Sequence, residues 1–229
     1  HRLVETWASR AACRQRAGRA GRTRPGTCIR LYSRGMEERL MPVETTPEMQ
    51  RAPLESVVMQ VKAVSREDVR AVLGRALSPP PLAAVEATTE RLVVAGALHA
   101  GGFDARLTPL GRYLADMPID LRLAKLLVLG ALCGCLEPLL HVAALLSSRP
   151  IVAAGMQRDE GAAAARRAYV RANSDLLTSA ALVAAYLARR HRREKTREVR
   201  AWCDGLGLSA AALQDVEATR AQLASSLED

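Results

Sequence analysis

From position 109 onward the chain offers one helical pattern after another and little else that it can fold into. Apolar residues recur at three- and four-residue spacing over 109 to 116, 120 to 133, 136 to 147, 158 to 171, 174 to 190, 195 to 203 and 209 to 226. The breaks, at Pro118, Pro138, Pro150 and Gly205-Leu206-Gly207, are short. Short breaks make neighbouring helices antiparallel, and the pattern predicts a compact bundle. Hydrophobic residues at 49% and charged residues at 25% let each segment bury one face and solvate the other, which excludes disorder and collagen. The longest strongly apolar run without charge, Leu126 to Leu136, is too short to span a bilayer, so no membrane role is expected. No internal repeat is present.

The first 110 residues are built differently. Ser9 is a helix cap for a run to about Ala17, which Gly18 and Gly21 loosen. The Pro25-Gly26 turn then leads into a strand expected over 27 to 32. That is a helix, a loop and a strand at the edge of an α/β sheet whose other strands are missing. Thr46-Pro47-Glu48 reads as a cap, a first-turn proline and an acid favoured by the helix dipole. Leu54, Val57, Val58 and Val61 then recur at helical spacing, so a small helical domain begins here. Ser78-Pro79-Pro80-Pro81 is a stiff loop, Val85, Leu92 and Val93 line a further helix, and 96–98 with 106–108 form a short hairpin. Helices followed by a hairpin make a winged-helix arrangement. The expected fold class is mainly α. A chain that begins at His1 amid periodic sequence reads as a piece of something longer.

Charge is unevenly placed. Residues 1 to 34 hold nine arginines against Glu5 alone, a balance of +8 within a total of +9. A second basic cluster, Arg189, Arg190, Arg192, Arg193, Lys195, Arg197 and Arg200, is partly offset by Glu194 and Glu198. Only three of the 33 basic residues are lysines. Arginine suits phosphate because its planar fork makes two parallel bonds, while the abundant alanine fits a GC-rich genome equally well. With aromatics at 3%, a nucleic-acid surface here works through charge, hydroxyls and backbone rather than base stacking.

The five cysteines are odd in number and fall in basic or apolar segments, so a disulfide framework is excluded and an intracellular, reducing compartment expected. Cys133-Gly134-Cys135 has no second ligand pair at metal spacing and reads as buried thiols; no metal site is expected. His141, among Leu139, Leu140, Val142 and Leu145, reads as a packed core histidine.

Gln15-Arg16-Ala17-Gly18-Arg19-Ala20-Gly21-Arg22 carries the chemistry. If the helix runs on through Arg19, then Gln15, Arg19 and Arg22 share a face, and Gly18 and Gly21 remove bulk that would hold a ligand away. A cationic face tipped with an amide suits a transferring γ-phosphate, the arginines neutralising charge and the glutamine holding water or a phosphate oxygen. A generic arginine-rich RNA-binding patch is the plainer alternative.

This stretch resembles motif VI of the DEAH-box and RNA helicase A-like superfamily 2 helicases, Q-R-x-G-R-A-G-R, at every fixed position. The resemblance runs along nearly the whole chain. It includes Trp7-Ala8-Ser9 with Ala11 before the motif, then Pro25-Gly26-Thr27-Cys28 and Arg30-Leu31-Tyr32 after it. It continues through Thr46 to Arg51, Leu107 to Gly111, Met117 to Asp120 with Ala124-Lys125, Cys135 to Pro138, Ala143 to Ser148, and Arg220 to Leu223. It implies the end of a RecA-like α/β lobe over 1–44, a winged helix over 45–110 and a helical ratchet domain over 111–229.

The resemblance further implies an ATP-dependent RNA helicase that moves along or remodels RNA. Arg19 and Arg22 would be arginine fingers, and Gln15 a γ-phosphate or water contact. Ser147, Ser148 and Arg149 would lie near single-stranded RNA, although a helix C-terminus before Pro150 explains the two serines nearly as well. ATP and Mg2+ would be bound mainly by residues absent from this chain, since nothing matches G-x-x-x-x-G-K-[ST]. Asp159-Glu160-Gly161-Ala162 lacks the histidine of the family's acidic box. Where the family often has Ser-Asp-His-Leu and Asn-Ala-Tyr, this chain has Ser174-Asp175-Leu176-Leu177 and Ala184-Ala185-Tyr186. Two other readings stand beside the enzyme: a non-catalytic architectural RNA-binding component of a ribonucleoprotein, and a winged-helix DNA-binding module.

Overall fold

The computed structural model describes residues 5–228; the first four positions, with Arg2 of the basic segment, and Asp229 lie outside it. The chain is mainly helical. Before the main core come α1 (Arg10–Ala17), α2 (Arg34–Arg39) and α3 (Glu48–Arg51), none with a buried residue. The core itself begins at Leu54 and runs without a break to Leu223.

Its first half holds α4 (Glu55–Val64), α5 (Val69–Gly74) and α6 (Leu82–Val94). Val58, Val69 and Leu92 are completely buried, with α4 packed against both α5 and α6, as the i, i+3, i+4 spacing requires. The expected hairpin condenses to a single antiparallel bridge, Leu98 to Leu107, flanked by the bond from the His99 amide to the Arg106 carbonyl (3.0 Å). The residues between are spent on a 3-10 turn, Gly102–Asp104, entered through Gly101 and Gly102 at positive φ. Lys62 on α4 donates its ammonium to the Phe103 carbonyl, and the Arg70 guanidinium lies 4.0 Å from the Phe103 ring centre. The wing turn is thereby fixed to α4 and α5.

Thr108 ends this wing and starts the next helix. Its hydroxyl donates to the Gly96 carbonyl (2.7 Å) and accepts from the Gly111 amide (2.9 Å), capping α7 (Pro109–Asp116) with proline in the first turn. The bundle follows as α8 (Leu121–Leu132), α9 (Leu136–Ser147), α10 (Glu160–Arg166), α11 (Asp175–His191), α12 (Thr196–Gly205) and α13 (Ala210–Glu228). Helix α9 is the hub, packed against α8, α11 and α13. Tyr186, 2% exposed, reaches Glu217 from α11, and the Tyr113 hydroxyl donates to the Leu227 carbonyl (3.1 Å), tying α7 to the end of α13. No described helix is long and apolar enough to cross a membrane.

Four expectations are corrected. Residues 27–32 form no strand: they are irregular and bend at Leu31 and Tyr32, with Ile29 80% and Leu31 96% exposed, because a strand needs a partner and no described segment pairs with them. Thr46 is not a cap; α3 starts at Glu48 and its preceding residue offers no side-chain bond. Pro138 does not break the chain but sits in the first turn of α9, where its missing N–H costs nothing. Cys133 and Cys135 are exposed rather than buried, since Gly134 at φ +68 turns the chain outward between α8 and α9. His141 is a core histidine, 5% exposed.

Candidate functional site

Helix α1 carries the arginine motif, and its first turn is anchored one donor at a time. The Ser9 hydroxyl accepts from the Ala12 amide (3.0 Å) and bonds the Thr45 hydroxyl (2.9 Å). The Arg10 and Ala11 amides donate to the carbonyls of Pro42 and Val43 (2.8 and 3.0 Å). Three of the amides that a helix start leaves open, those of Arg10, Ala11 and Ala12, are thus satisfied, and Ser9 is 3% exposed. The loop 42–45, bent at Val43 and Glu44, holds the helix that presents the motif.

The far end opens into solvent. The helix stops at Ala17, and two three-residue turns follow, from Arg19 to Arg16 (3.0 Å) and from Ala20 to Ala17 (3.1 Å). Gly21, at φ +118, then swings the chain out of helical conformation, so Gln15, Arg19 and Arg22 do not form the continuous i, i+4, i+7 face. Arg19 follows within a turn of the helix end, and Arg22 lies past the bend. Gly26 folds back until a Cβ there would be 3.3 Å from Ala20. At Gly18 the fold itself leaves room for a side chain, with no contact closer than 3.6 Å. Its glycine leaves open space beside the arginines.

The structure also sharpens the charge. Arg30 and Arg34 are neutralised by Glu37 (2.5 Å) and Glu38 (3.1 Å) on α2. Arg14, Arg16, Arg19, Arg22 and Arg24 are exposed and have no acidic partner among the described residues. Gln15 lies among them, also exposed. Five unpaired guanidiniums within one turn and its following loop make a positive field suited to polyphosphate. Arg14 and Arg24 lie outside the motif, and the sequence signals them only by the count of arginines without acids.

The second group of candidates is divided. Ser147 ends α9 with its side chain exposed. Ser148 turns to α13, its hydroxyl 3.3 Å from that of Thr219, and Arg149 pairs with Asp215 (2.8 Å) on the same helix. Asp159 and Ser174 are both helix caps, accepting from the amides of Ala162 and Leu177. An open apolar groove of about 730 Å³ runs between α6 and α8, lined by Arg91, Val94, Leu121, Lys125 and Leu129, and none of the candidate residues borders it.

The fold is thus a helical body with a one-bridge wing, preceded by an arginine-tipped helix. Residues 89–119 match the helicase-associated (HA2) winged-helix domain and residues 120–205 the HA2 ratchet-like domain. The chain is 46% identical, along its whole length, to a DEAH-box ATP-dependent helicase of Mycosarcoma maydis, covering 15% of that protein. It is 36% identical over 99% of its length to the DExH-box ATP-dependent RNA helicase DExH3 of Arabidopsis thaliana, covering 18% of it. It is 46% identical over 65% of its length to the ATP-dependent RNA helicase TDRD9 of Danio rerio, covering 11% of that protein. The chain therefore belongs to the DEAH-box and RNA helicase A-like helicase family, of which it carries the HA2 winged-helix and ratchet-like domains. It spans less than a fifth of the length of each of these relatives.

Proposed function

We propose that the chain is the motif VI, winged-helix and ratchet portion of an enzyme that couples ATP hydrolysis to movement along RNA or its remodelling. The observation that carries this is the anchored α1 with Gln15, Arg19 and Arg22 held out beside Gly18 and Gly21, within a chain of this family. Five unpaired guanidiniums and an amide fit one side of a triphosphate; ATP and its Mg2+ would be held otherwise by residues of the missing phosphate loop and acidic box. Bound there, ATP supplies a phosphoryl group whose transfer to water gathers negative charge on the terminal oxygens. Arg19 and Arg22 donate to that charge as it develops, and the Gln15 amide orients water or a phosphate oxygen.

With this goes the division into the end of a RecA-like lobe over 1–44, a winged helix over 45–110 and a ratchet domain over 111–229. Single-stranded RNA is the proposed substrate, with exposed Ser147 its nearest contact on α9 and with Ser148 and Arg149 turning from α13 to join it. Membership of a ribonucleoprotein assembly and a reducing intracellular compartment complete the reading, the latter supported by the odd cysteine count. The test is RNA-stimulated ATP turnover by the full-length protein. Turnover that rises with added single-stranded RNA is expected, and a folded full-length protein without it would favour the architectural reading.

A further inference from the structure

The elbow between α11 and α12 holds a second basic surface that motif VI chemistry does not use. Of the seven cations from Arg189 to Arg200, two are spent inside the fold: Arg189 pairs with Glu194 (2.7 Å) and lies 5.0 Å from the Trp202 ring centre, and Arg190 reaches Glu217 (3.5 Å). Both local acids are spent as well, Glu194 on Arg189 and Glu198 on the Lys195 amide. Arg192, Arg193, Lys195, Arg197 and Arg200 remain exposed, with no acidic partner among the described residues. Val199 and Cys203 bury one side of α12, and Arg197 and Arg200, three residues apart, stay exposed on the rest of it together with the acids Glu198 and Asp204.

Helix electrostatics accounts for only part of this. Arg192 and Arg193 follow the C-terminus of α11, where positive charge offsets the dipole. Lys195 and Arg197 stand at the N-terminus of α12, where the dipole is already positive and repels them. The turn itself closes with Arg193 at φ +55, its amide bonded to the Arg190 carbonyl and that of Glu194 to the Arg189 carbonyl. This is the position that glycine fills with least strain, yet it carries another guanidinium.

We infer that the elbow formed by Arg192, Arg193, Lys195, Arg197 and Arg200 is a sequence-independent binding surface for the phosphate backbone of single-stranded RNA, separate from the motif VI arginines. The choice of RNA rests on the helicase reading above. The choice of backbone rests on the surface: from Thr178 onward no large hydrophobic side chain is exposed among the described residues. A protein partner or a membrane would need apolar anchors there, whereas phosphate needs only charge.

The test measures binding of the 229-residue chain to labelled oligouridine across a salt series, for wild type, the triple variant Lys195→Gln, Arg197→Gln, Arg200→Gln, and the double variant Arg19→Ala, Arg22→Ala. The triple variant is expected to bind about tenfold more weakly at low salt, with a log–log salt slope shallower by roughly two, at about 0.7 for each phosphate that is no longer neutralised. Equal affinity and slope in the triple variant would overturn the proposal. So would loss of binding to polyglutamate without loss of RNA binding, which marks the elbow as a dock for an acidic protein. If neither variant weakens binding, the elbow fails while the helicase reading stands; if wild type binds no RNA at all, both fail. Photocrosslinking of wild type to thiouridine-substituted oligonucleotide guards against a misfolded variant. Crosslinked peptides from 192–200 are expected, and crosslinks confined to other segments would overturn the elbow.

Discussion

A Cβ on Gly111 would lie 1.9 Å from the carbonyl oxygen of Ala97. Helix α7 therefore presses its backbone directly onto the residue that opens the wing, at the point where Thr108 bonds Gly96 and caps α7. The run Leu107-Thr108-Pro109-Leu110-Gly111 is one device: bridge residue, double-bonded cap, first-turn proline, and a glycine where two backbones meet. No rotamer can relieve the clash, because both atoms belong to the chain itself.

Gly111→Ala is accordingly expected to destabilise the protein by about 3 kcal/mol or more, above the usual range for one added methyl in a core. Gly74→Ala, where a Cβ meets nothing within 4 Å, should be neutral or slightly stabilising. Urea unfolding of the two variants against wild type checks the contrast. Equal midpoints would mean that α7 does not sit on Ala97.

A second expectation concerns pH. Burial pushes the His141 imidazole below its ordinary 6.5, and the Arg220 guanidinium on α13 pushes the same way against the weaker pull of Glu137. Its Nε2 is buried without a hydrogen-bond partner. The folded state thus takes up this proton less readily than the unfolded state, so the stability is complete above the unfolded pKa and is lost as pH falls from 6.5 toward the folded value. Unfolding midpoints should fall between about pH 7 and about pH 5. His141→Leu should flatten that decline and, with no polar atom left orphaned, match or exceed wild type at neutral pH.

What the sequence made legible follows from where each element finds its partners. The helices of the bundle bury stripes against their neighbours in the chain, so periodicity alone places α7, α9 and α11 within a residue or two. Residues 27–32 have the composition of a strand, but a strand draws its hydrogen bonds from elsewhere, and nothing local reports whether a partner exists. The motif residues were legible as chemistry because arginine, glutamine and glycine in that order have few other uses. Their geometry was not, since Gly18 and Gly21 can continue or end a helix, and only the backbone angle at Gly21 decides.

Thiol accessibility tests the turn between α8 and α9. Cys28, Cys133 and Cys135 are exposed, Cys13 is half-buried, and Cys203 is buried with burial pushing its thiol up. An aromatic disulfide reagent should modify Cys28, Cys133 and Cys135 quickly in the native protein and Cys13 more slowly. Cys203 should react only on unfolding. Slow modification of Cys133 and Cys135 would restore the buried arrangement that their apolar surroundings suggest.

The last prediction separates phosphoryl chemistry from simple RNA grip at motif VI. Arg19 and Arg22 are exposed and without acidic partners, so replacing them leaves no buried charge behind and should scarcely change stability. In the full-length protein, if they act on charge that develops during phosphoryl transfer, either alanine variant should lower kcat by roughly 10³-fold or more. RNA affinity without nucleotide should change little, because Arg14, Arg16 and Arg24 remain on the same turn and loop. Arg19→Lys should rescue poorly, since a point charge cannot reproduce a two-pronged contact. Were the pair only a grip on RNA, lysine would substitute well and each alanine would weaken binding instead. Parallel titrations of turnover and RNA affinity on wild type, Arg19→Ala and Arg19→Lys distinguish the two. A lysine variant with wild-type turnover would remove Arg19 from the transition state.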